Sequence, residues 1–340
     1  MPPTGRPTAP LHSIPVHDPF LLTDRASGRY LLYTAYDGRA DGRGTGIVAY
    51  TSQNLRDWAG PEVVFRVPDG AWPDPGTAPW APEVHAYRGQ YFLFLTMHDP
   101  HTALSPVRRG ENEFAVSNAR TGARYEPTMR GVGIAVADRP EGPFRLIRTD
   151  RPTTPPDFMA LDGTLFVGDD GTPWMVYAHE WVQLLDGTME AVRLSDDLGS
   201  AVGDPVHLFR GSEASWLRTR TPGTAALPPY VTDGPQLRRL PGGALAMLWA
   251  SYRADGAAGE YVETYAVSPS GSLFGPWIQG DVLVDGNAGH GMLFETFDGT
   301  LMLVLHRGMN TPTVRPELHE VVVHAGGLRL GADRRDLYGP

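Results

Sequence analysis

Five side chains that can exchange a proton or bind a cation stand at the starts of apolar, strand-like runs. Four are acids and one is a histidine: Asp18, Glu83, Asp162, Asp233 and His290. Carboxylates held close together raise one another's pKa, so such a group suits either acid–base catalysis or a hard cation. The calcium-loop signature of closely spaced Asp ligands is absent, which favours catalysis but leaves calcium open. Taken singly, each residue could simply cap a turn.

The stretch 161–181 shows the local pattern most clearly. Two short runs rich in β-branched and aromatic residues flank the turn sequence Gly-Asp-Asp-Gly, with Asp162 at the start of the first run. This arrangement predicts a β-hairpin. A single acid in this position would be read as a turn former, but the same arrangement recurs along the chain.

The recurrence defines five units, which open near residues 18, 83, 162, 233 and 290 at intervals of 57 to 79 residues. Each unit contains three or four short strand-like runs, and no helical period is sustained. Units of this kind arranged radially form a β-propeller, whereas solenoid repeats are mostly shorter. The sequence therefore predicts an all-β, five-bladed β-propeller that forms a single catalytic domain over residues 1–340.

In a propeller the first strand of each blade lines the central axis, so equivalent strand starts meet at one mouth of the channel. The five side chains are therefore expected to converge there. The longer loops, 99–130 and 208–230, are expected to lie outside the β core, where function tends to reside. Aromatic residues in the same segments suit a carbohydrate pocket, although each alone would more often be core: Trp80, Phe166, Trp181 and Trp216.

Composition excludes several classes of function. The net charge is −10 and all 29 basic residues are Arg, so a nucleic-acid or anionic-membrane partner is not expected. The absence of Cys excludes disulfides, a thiolate nucleophile and Cys-ligated zinc. No apolar run approaches the roughly 20 residues needed to span a membrane. Residues 1–10 lack a secretory signal, so we expect a cytoplasmic location, although a secreted chain trimmed of its signal would look the same.

The five strand-start residues and the residues next to them form short motifs. In their order and spacing along the chain these motifs resemble those of glycoside hydrolase family 43. This family comprises inverting five-bladed-propeller arabinanases, arabinofuranosidases and β-xylosidases. The resemblance spans roughly Ile14 to Arg315. It is carried by five motifs: His17-Asp18-Pro19, Trp80-Ala81-Pro82-Glu83, Leu161-Asp162-Gly163, Thr232-Asp233-Gly234-Pro235 and Gly289-His290-Gly291.

The resemblance implies a role for each matching residue. Asp18 would be the general base that activates water, Asp162 would tune the pKa of the acid and orient the sugar, and Asp233 holds the position of the general acid. His290 falls where arabinanase-like members hold an axial ion, often calcium bound through water. No organic cofactor is implied, and the partner is an oligo- or polysaccharide. The predicted substrate-binding residues are His17, Trp80, Glu83, Glu180, Trp181 and Glu213.

One position departs from the family pattern. The acid is usually Glu, and Asp233 is shorter by one methylene, which withdraws the carboxyl group by about 1.5 Å. Glu180 and Glu213 are alternative proton donors. Asp233 is favoured because it stands at the strand start of the fourth unit, where the resemblance places the general acid. Two other functions remain open: a retaining enzyme of the fructan-hydrolase kind and a non-catalytic carbohydrate-binding propeller. A carboxyl separation of about 5 Å would indicate retention, and one of about 6.5–9.5 Å inversion.

Overall fold

The computed structural model describes residues 8–38, 42–105, 126–218, 230–253, 260–324 and 327–338. Five separate antiparallel sheets follow one another along the chain and form a five-bladed β-propeller, which confirms the predicted fold. We number the sheets as blades 1–5 in chain order. Within the two predicted loops, 99–130 and 208–230, residues 106–125 and 219–229 lie outside the described residues.

Blade 1 has five strands, because the N-terminal strand pairs with the outermost strand of that blade. In chain order its strands are β1 (Thr8–Pro10), β2 (Phe20–Asp24), β3 (Arg29–Tyr36), β4 (Gly46–Ser52) and β5 (Asp57–Arg66). Blade 2 has four strands: β6 (Trp80–Tyr87), β7 (Gln90–Ala103), β8 (Thr128–Ala137) and β9 (Arg145–Leu146).

The other three blades also have four strands each. Blade 3 consists of β10 (Ala160–Val167), β11 (Pro173–His179), β12 (Thr188–Leu194) and β13 (Ala201–Arg210). Blade 4 consists of β14 (Asp233–Arg239), β15 (Leu245–Arg253), β16 (Glu260–Ser268) and β17 (Ile278–Gln279). Blade 5 consists of β18 (Ala288–Glu295), β19 (Leu301–Arg307), β20 (Arg315–His324) and β21 (Gly327–Asp333).

Helices are few and short among the described residues. They are two α-helical turns, α1 (Trp181–Leu184) and α2 (Arg335–Tyr338), and three 3₁₀ turns, Leu11–Ser13, Gly211–Glu213 and Ser215–Arg218. None of them is long and apolar enough to cross a membrane.

Apolar side chains from facing sheets fill the space between neighbouring blades. One cluster joins blades 2 and 3, a second joins blades 3 and 4, a third joins blades 4 and 5, and the largest joins blades 1, 2 and 5. Burial of this apolar surface is the main force that holds the blades together. The ring is therefore closed by packing of blade 5 on blade 1, where Tyr30 contacts Phe297 with ring centroids 4.3 Å apart.

The predicted hairpin at 161–181 is present, because β10 and β11 pair in antiparallel register. The pairing is interrupted after Leu161 and resumes at Thr164. The same interruption occurs on the inner strands of blades 2, 4 and 5. It is a β-bulge, a feature that often redirects a side chain beside an active site.

The bulge fixes which residues are equivalent in the five blades. Its first residue has a positive φ in each of the four bulges, and Asp18, just before β2, has the same conformation. The φ values run from 46° to 58°, at Asp18, Ala81, Asp162, Gly234 and His290. For residues other than Gly this left-handed conformation is strained.

This register corrects the predicted equivalence of the five strand starts. Asp18, Asp162 and His290 are equivalent as expected. Glu83 lies two residues beyond its blade's equivalent position, and Asp233 lies one residue before its own. The pattern of apolar residues does not reveal these offsets, because an interrupted strand keeps its overall composition.

Candidate active site

A cavity of about 410 Å³ opens where the inner strands begin. Seven of the residues predicted from the sequence line it: Asp18, Trp80, Asp162, Glu180, Trp181, Asp233 and His290. The fold thus brings together three acids and a histidine from four different blades, as a propeller axis should. Trp80 remains 41% exposed, so its indole is accessible to a molecule that enters the cavity.

Three other predicted residues do not line this cavity. Glu83 pairs with a residue of its own strand, β6, because its Oε2 atom lies 2.8 Å from His85 Nε2. His17 packs edge-on against the ring of His306, with centroids 5.4 Å apart. Glu213 is exposed and accepts a hydrogen bond of 3.0 Å from the backbone N–H of Arg210. The contacts of Glu83 and Glu213 are therefore away from the acids on the axis. His17 lies outside the cavity lining but beside Asp18, with ligand atoms of the two residues within 4.8 Å of each other.

Asp18 is held among histidines. Its Oδ1 atom lies 3.3 Å from His290 Nδ1 and 3.4 Å from His306 Nδ1, and its own backbone N–H donates to His306 Nδ1 at 3.0 Å. Burial pushes the pKa of Asp18 upward. The charge of His290 is the main opposing effect and the N–H of Ala81 adds to it, so the pKa is lowered from its ordinary value. Asp18 is consequently ionised at neutral pH. Burial lowers the pKa of His306 itself to about 3, so this imidazole is neutral.

Asp162 is fixed by hydrogen bonds from both neighbouring blades. Thr96 Oγ1 accepts from the backbone N–H of Asp162 at 2.7 Å and donates to its Oδ1 atom at 3.2 Å. The backbone N–H of Gly234 donates to Oδ2 at 2.9 Å. Burial and the charge of Asp18 raise the pKa of Asp162 to about 6, against the opposing effect of His290. Its charge therefore changes close to neutral pH.

Asp233 has the opposite electrostatic situation to Asp18. Burial, followed by the charges of Asp162 and Glu180, raises its pKa well above the ordinary value. His290 and a hydrogen bond of 3.1 Å donated by the hydroxyl of Tyr261 to Asp233 Oδ2 only partly offset this. The raised pKa favours the protonated form of Asp233, which is the state that a general acid requires.

His290 lies among the acids and acts as their counter-ion. Its Nδ1 atom is 3.3 Å from Asp18 Oδ1 and 3.8 Å from Asp162 Oδ2. Burial lowers the pKa of His290, but Asp18, Asp162, Asp233 and the buried Glu263 raise it to about 9. The imidazole is therefore a cation at neutral pH.

As a direct ligand, His290 does not suit the calcium ion that the family resemblance places there through water. Calcium takes six to eight oxygen ligands, whereas His290 offers a nitrogen that carries positive charge and faces two carboxylates. The set His17, Asp18 and His306 has ligand atoms within 4.8 Å of one another, but two imidazoles and one carboxylate suit softer ions than calcium. His306 Nδ1 is already occupied by the N–H of Asp18. We therefore assign no step of the chemistry to a metal.

One wall of the cavity is built from Arg130 and Glu180. The Arg130 guanidinium forms a short ion pair with Glu180, donates to His98 Nδ1 at 3.2 Å and lies 4.5 Å from the centre of the Trp80 ring. Burial raises the pKa of Glu180, and Arg130 opposes that rise. Glu180 thus accepts a charge-assisted hydrogen bond from Arg130 at the cavity wall. The charge of Glu180 also contributes to the raised pKa of Asp233.

Four further residues of the site escaped sequence reasoning: Thr96, Arg130, Tyr261 and His306. Each lies on a second or third strand of its blade, whereas the repeat pattern draws attention to the first strand. Arg130 falls in a segment flagged as a functional loop, which was the only sequence signal for any of the four.

Comparison with known proteins agrees with this geometry. Residues 7–324 match the sequence profile of glycosyl hydrolases family 43. The solved structure of an endo-arabinase from Bacteroides thetaiotaomicron is 31% identical, with a TM-score of 0.76 over 95% of this chain and 100% of that one.

Two curated relatives match shorter segments. The extracellular endo-α-(1→5)-L-arabinanase 1 of Bacillus subtilis is 22% identical over 170 residues, which are 49% of this chain and 44% of the relative. The xylosidase/arabinosidase 43A of Humicola insolens is 29% identical over 119 residues, or 35% of this chain and 27% of the relative. The matches thus cover less than half of each curated relative, while the family match covers nearly all of this chain. The chain belongs to glycosyl hydrolases family 43.

Proposed function

We propose that this protein is an inverting glycoside hydrolase that acts on arabinose- or xylose-containing glycans. The observation that carries the proposal is the opposite electrostatics of two acids in one cavity. Asp18 has a lowered pKa, which favours its ionised form, whereas Asp233 has a raised pKa, which favours its protonated form. Two carboxyl groups in these two states are what acid–base hydrolysis of a glycoside requires. The inverting course is proposed from membership of family 43.

In this mechanism Asp18 accepts a proton from a water molecule as that water attacks the anomeric carbon. Asp233 gives its proton to the glycosidic oxygen as the bond to the anomeric carbon breaks. The transition state has oxocarbenium-ion character, and the product has the opposite anomeric configuration. Asp162 raises the pKa of Asp233 and, with its fixed carboxylate, is placed to accept a hydrogen bond from the sugar.

Asp233 is a better candidate for the proton donor than either glutamate. Glu213 is exposed and outside the cavity. Glu180 lines the cavity, but its ion pair with Arg130 favours the ionised form. Asp233 has the stronger upward pKa shift and lies beside Asp162 in the electrostatic network. We therefore assign the donor to Asp233 and give Glu180 and Arg130 a role in holding sugar hydroxyl groups.

The proposed sugar class comes from the relatives. The endo-arabinase structure and the two curated proteins carry names that specify arabinan, xyloside or arabinoside substrates. The cavity is compatible with this class, because the exposed face of Trp80 lies beside charged hydrogen-bonding groups. Apolar faces of sugar rings pack well on such aromatic platforms.

The test begins with hydrolysis of 4-nitrophenyl α-L-arabinofuranoside and 4-nitrophenyl β-D-xyloside, followed by arabinan and xylan. Proton NMR of the first product should show the anomeric configuration opposite to that of the substrate. Retained configuration would instead support the fructan-hydrolase type of mechanism. Binding of the glycans without turnover would support a carbohydrate-binding propeller.

The donor is tested with Asp233→Ala, compared with Glu213→Ala as a matched control outside the cavity. Removal of the true acid should slow substrates with poor leaving groups much more than those with good leaving groups, because good leaving groups need little protonation. Selective loss in the Glu213 variant, with equal slowing of both substrate classes in the Asp233 variant, would move the donor to the loop.

A further inference from the structure

Tyr261 is a buried residue that contacts the machinery on the acid side of the cavity. It lies on the third strand of blade 4, is completely buried as a residue and still lines the cavity. Its hydroxyl group donates a hydrogen bond of 3.1 Å to Asp233 Oδ2. A buried Tyr hydroxyl needs a partner, and here the partner is the proposed general acid.

The ring of Tyr261 also reaches the base side of the cavity. It stacks on His306 with centroids 5.7 Å apart and an interplanar angle of 6°. His306 Nδ1 in turn accepts the backbone N–H of Asp18 at 3.0 Å. One side chain therefore contacts Asp233 directly and Asp18 through a single intermediate ring.

The neighbouring blade leaves space for this arrangement. A Cβ atom on Gly289 would lie 2.7 Å from the Tyr261 ring, which is too close for any real side chain. Gly289 opens the Gly-His-Gly motif of blade 5, so the first glycine of that motif has a physical reason: it admits the Tyr261 ring. Two blades are thus shaped around this one aromatic ring.

We propose that Tyr261 is the positioning residue of the proposed general acid, Asp233. This inference rests on the proposed hydrolase function. The tyrosine holds Oδ2 of Asp233, so that the proton sits on Oδ1 and is directed at the glycosidic oxygen. When the proton leaves Oδ1, the glycosidic bond breaks and Asp233 becomes a carboxylate. Tyr261 keeps its own proton throughout, and its hydrogen bond strengthens as negative charge develops on Oδ2.

The need for such a residue follows from the length of the acid. The carboxyl group of Asp is carried on a single methylene, so its reach toward the substrate depends strongly on its orientation. Displacement of a reacting group by about 1 Å can cost about 10²-fold in rate. A hydrogen bond to one oxygen removes the rotation that would otherwise place either oxygen toward the substrate.

The same contact predicts a pH effect. The groups that face Asp233 are Asp162 and Glu180, which raise its pKa, and His290 and Tyr261, which lower it. Loss of the tyrosine hydroxyl removes a hydrogen bond that favours the ionised carboxylate, so the pKa of Asp233 rises further. The alkaline limb of the pH–rate profile, where the acid loses its proton, should therefore move to higher pH.

The experiment compares Tyr261→Phe with Tyr265→Phe on the same strand, since Tyr265 lies outside the cavity. With poor leaving groups, kcat of the Tyr261 variant should fall by about 10- to 100-fold. With 4-nitrophenyl glycosides it should change less than about threefold, and the alkaline limb should move up. The Tyr265 variant should match wild type in both respects. Equal slowing of both substrate classes, or an unmoved alkaline limb, would overturn the proposal.

A double mutant protects the test against a simple folding defect. In an Asp233→Asn background the Tyr261→Phe change should add no further leaving-group dependence, because the acid it serves is gone. An undiminished effect of Tyr261→Phe in that background would also overturn the proposal. Absence of turnover by the wild-type enzyme on every glycoside would instead count against the proposed function itself.

Discussion

His290 offers the sharpest test of the electrostatics, because its positive charge acts on base and acid alike. We consider the substitution His290→Gln, which keeps a polar side chain of similar size and removes the cation. Burial alone would raise the pKa of Asp18, and His290 is the first of the groups that hold it down. The substitution should therefore raise the pKa of Asp18.

The size of the effect follows from the distance between the charges. Two unit charges 3.3 Å apart interact by about 5 kcal/mol at an effective dielectric constant of about 20. His290 shares its charge with Asp162 and Asp233, and the cavity is open to water, so the shift at Asp18 is smaller. An opposite charge at this range typically lowers a carboxyl pKa by about 1–3 units, or about 1.4–4 kcal/mol.

The direction of the pKa shift at Asp18 determines how the pH–rate profile should change. The base works only when ionised, so a higher pKa of Asp18 moves the acidic limb of kcat/KM up by about 1–3 units. His290 also lowers the pKa of Asp233, so its loss moves the alkaline limb upward as well. The whole profile should therefore shift toward higher pH rather than merely shrink.

The assay is kcat/KM for a 4-nitrophenyl glycoside between pH 3 and pH 10, on wild type and His290→Gln. His85→Gln is the matched control, because His85 also lies on an inner strand and pairs with an acid but does not line the cavity. An acidic limb that stays in place in the His290 variant would show that His290 does not control the ionisation of Asp18.

Three further outcomes are expected. Asp18→Asn should lower kcat/KM by about 10²–10⁴-fold or more with little change in melting temperature, and near-normal turnover would remove the base assignment. Asp162→Asn should lower the pKa of Asp233 and move the alkaline limb to lower pH; a limb that moves up or stays would contradict the role of Asp162. Chelation with EDTA should leave turnover and melting temperature unchanged, whereas a loss restored by added calcium would show that His290 works with an ion.

The fold was predictable because its signal is repeated. Turn residues between β-branched and aromatic runs recur in five units, and each unit supplies an independent indication of the same blade. The hairpin at 161–181 is the clearest of them, and its two strands are paired as predicted. The first strand and the last helical turn of the described chain are not part of the repeated pattern. The added strand Thr8–Pro10 and the turn Arg335–Tyr338 were therefore not foreseen.

The site was predictable only as far as the first strand of each blade. Strand starts on one axis must converge, and Asp18, Asp162 and His290 do so. The bulge defeated the prediction for Glu83, because two residues of β6 lie opposite one residue of β7. This one extra residue changes which side chains face the cavity without changing the apolar pattern. Tyr261 was missed for another reason: its role depends on a third strand that packs behind the axis, and no local spacing encodes that contact.

The bulge also explains how a repeated fold yields a site with unlike acids. All five blades present the same strained position toward the axis, but only blades 1 and 3 place an acid there. The next blade in each case has a small residue, Ala81 or Gly234, and its backbone N–H donates to the preceding acid, Asp18 or Asp162. A Cβ atom on Gly234 would lie 3.1 Å from the ring of His290, so this position also leaves room for the cation. The repeated position thus supplies Asp18, Asp162 and His290, whereas the proposed donor Asp233 lies one residue before its blade's equivalent position, Gly234.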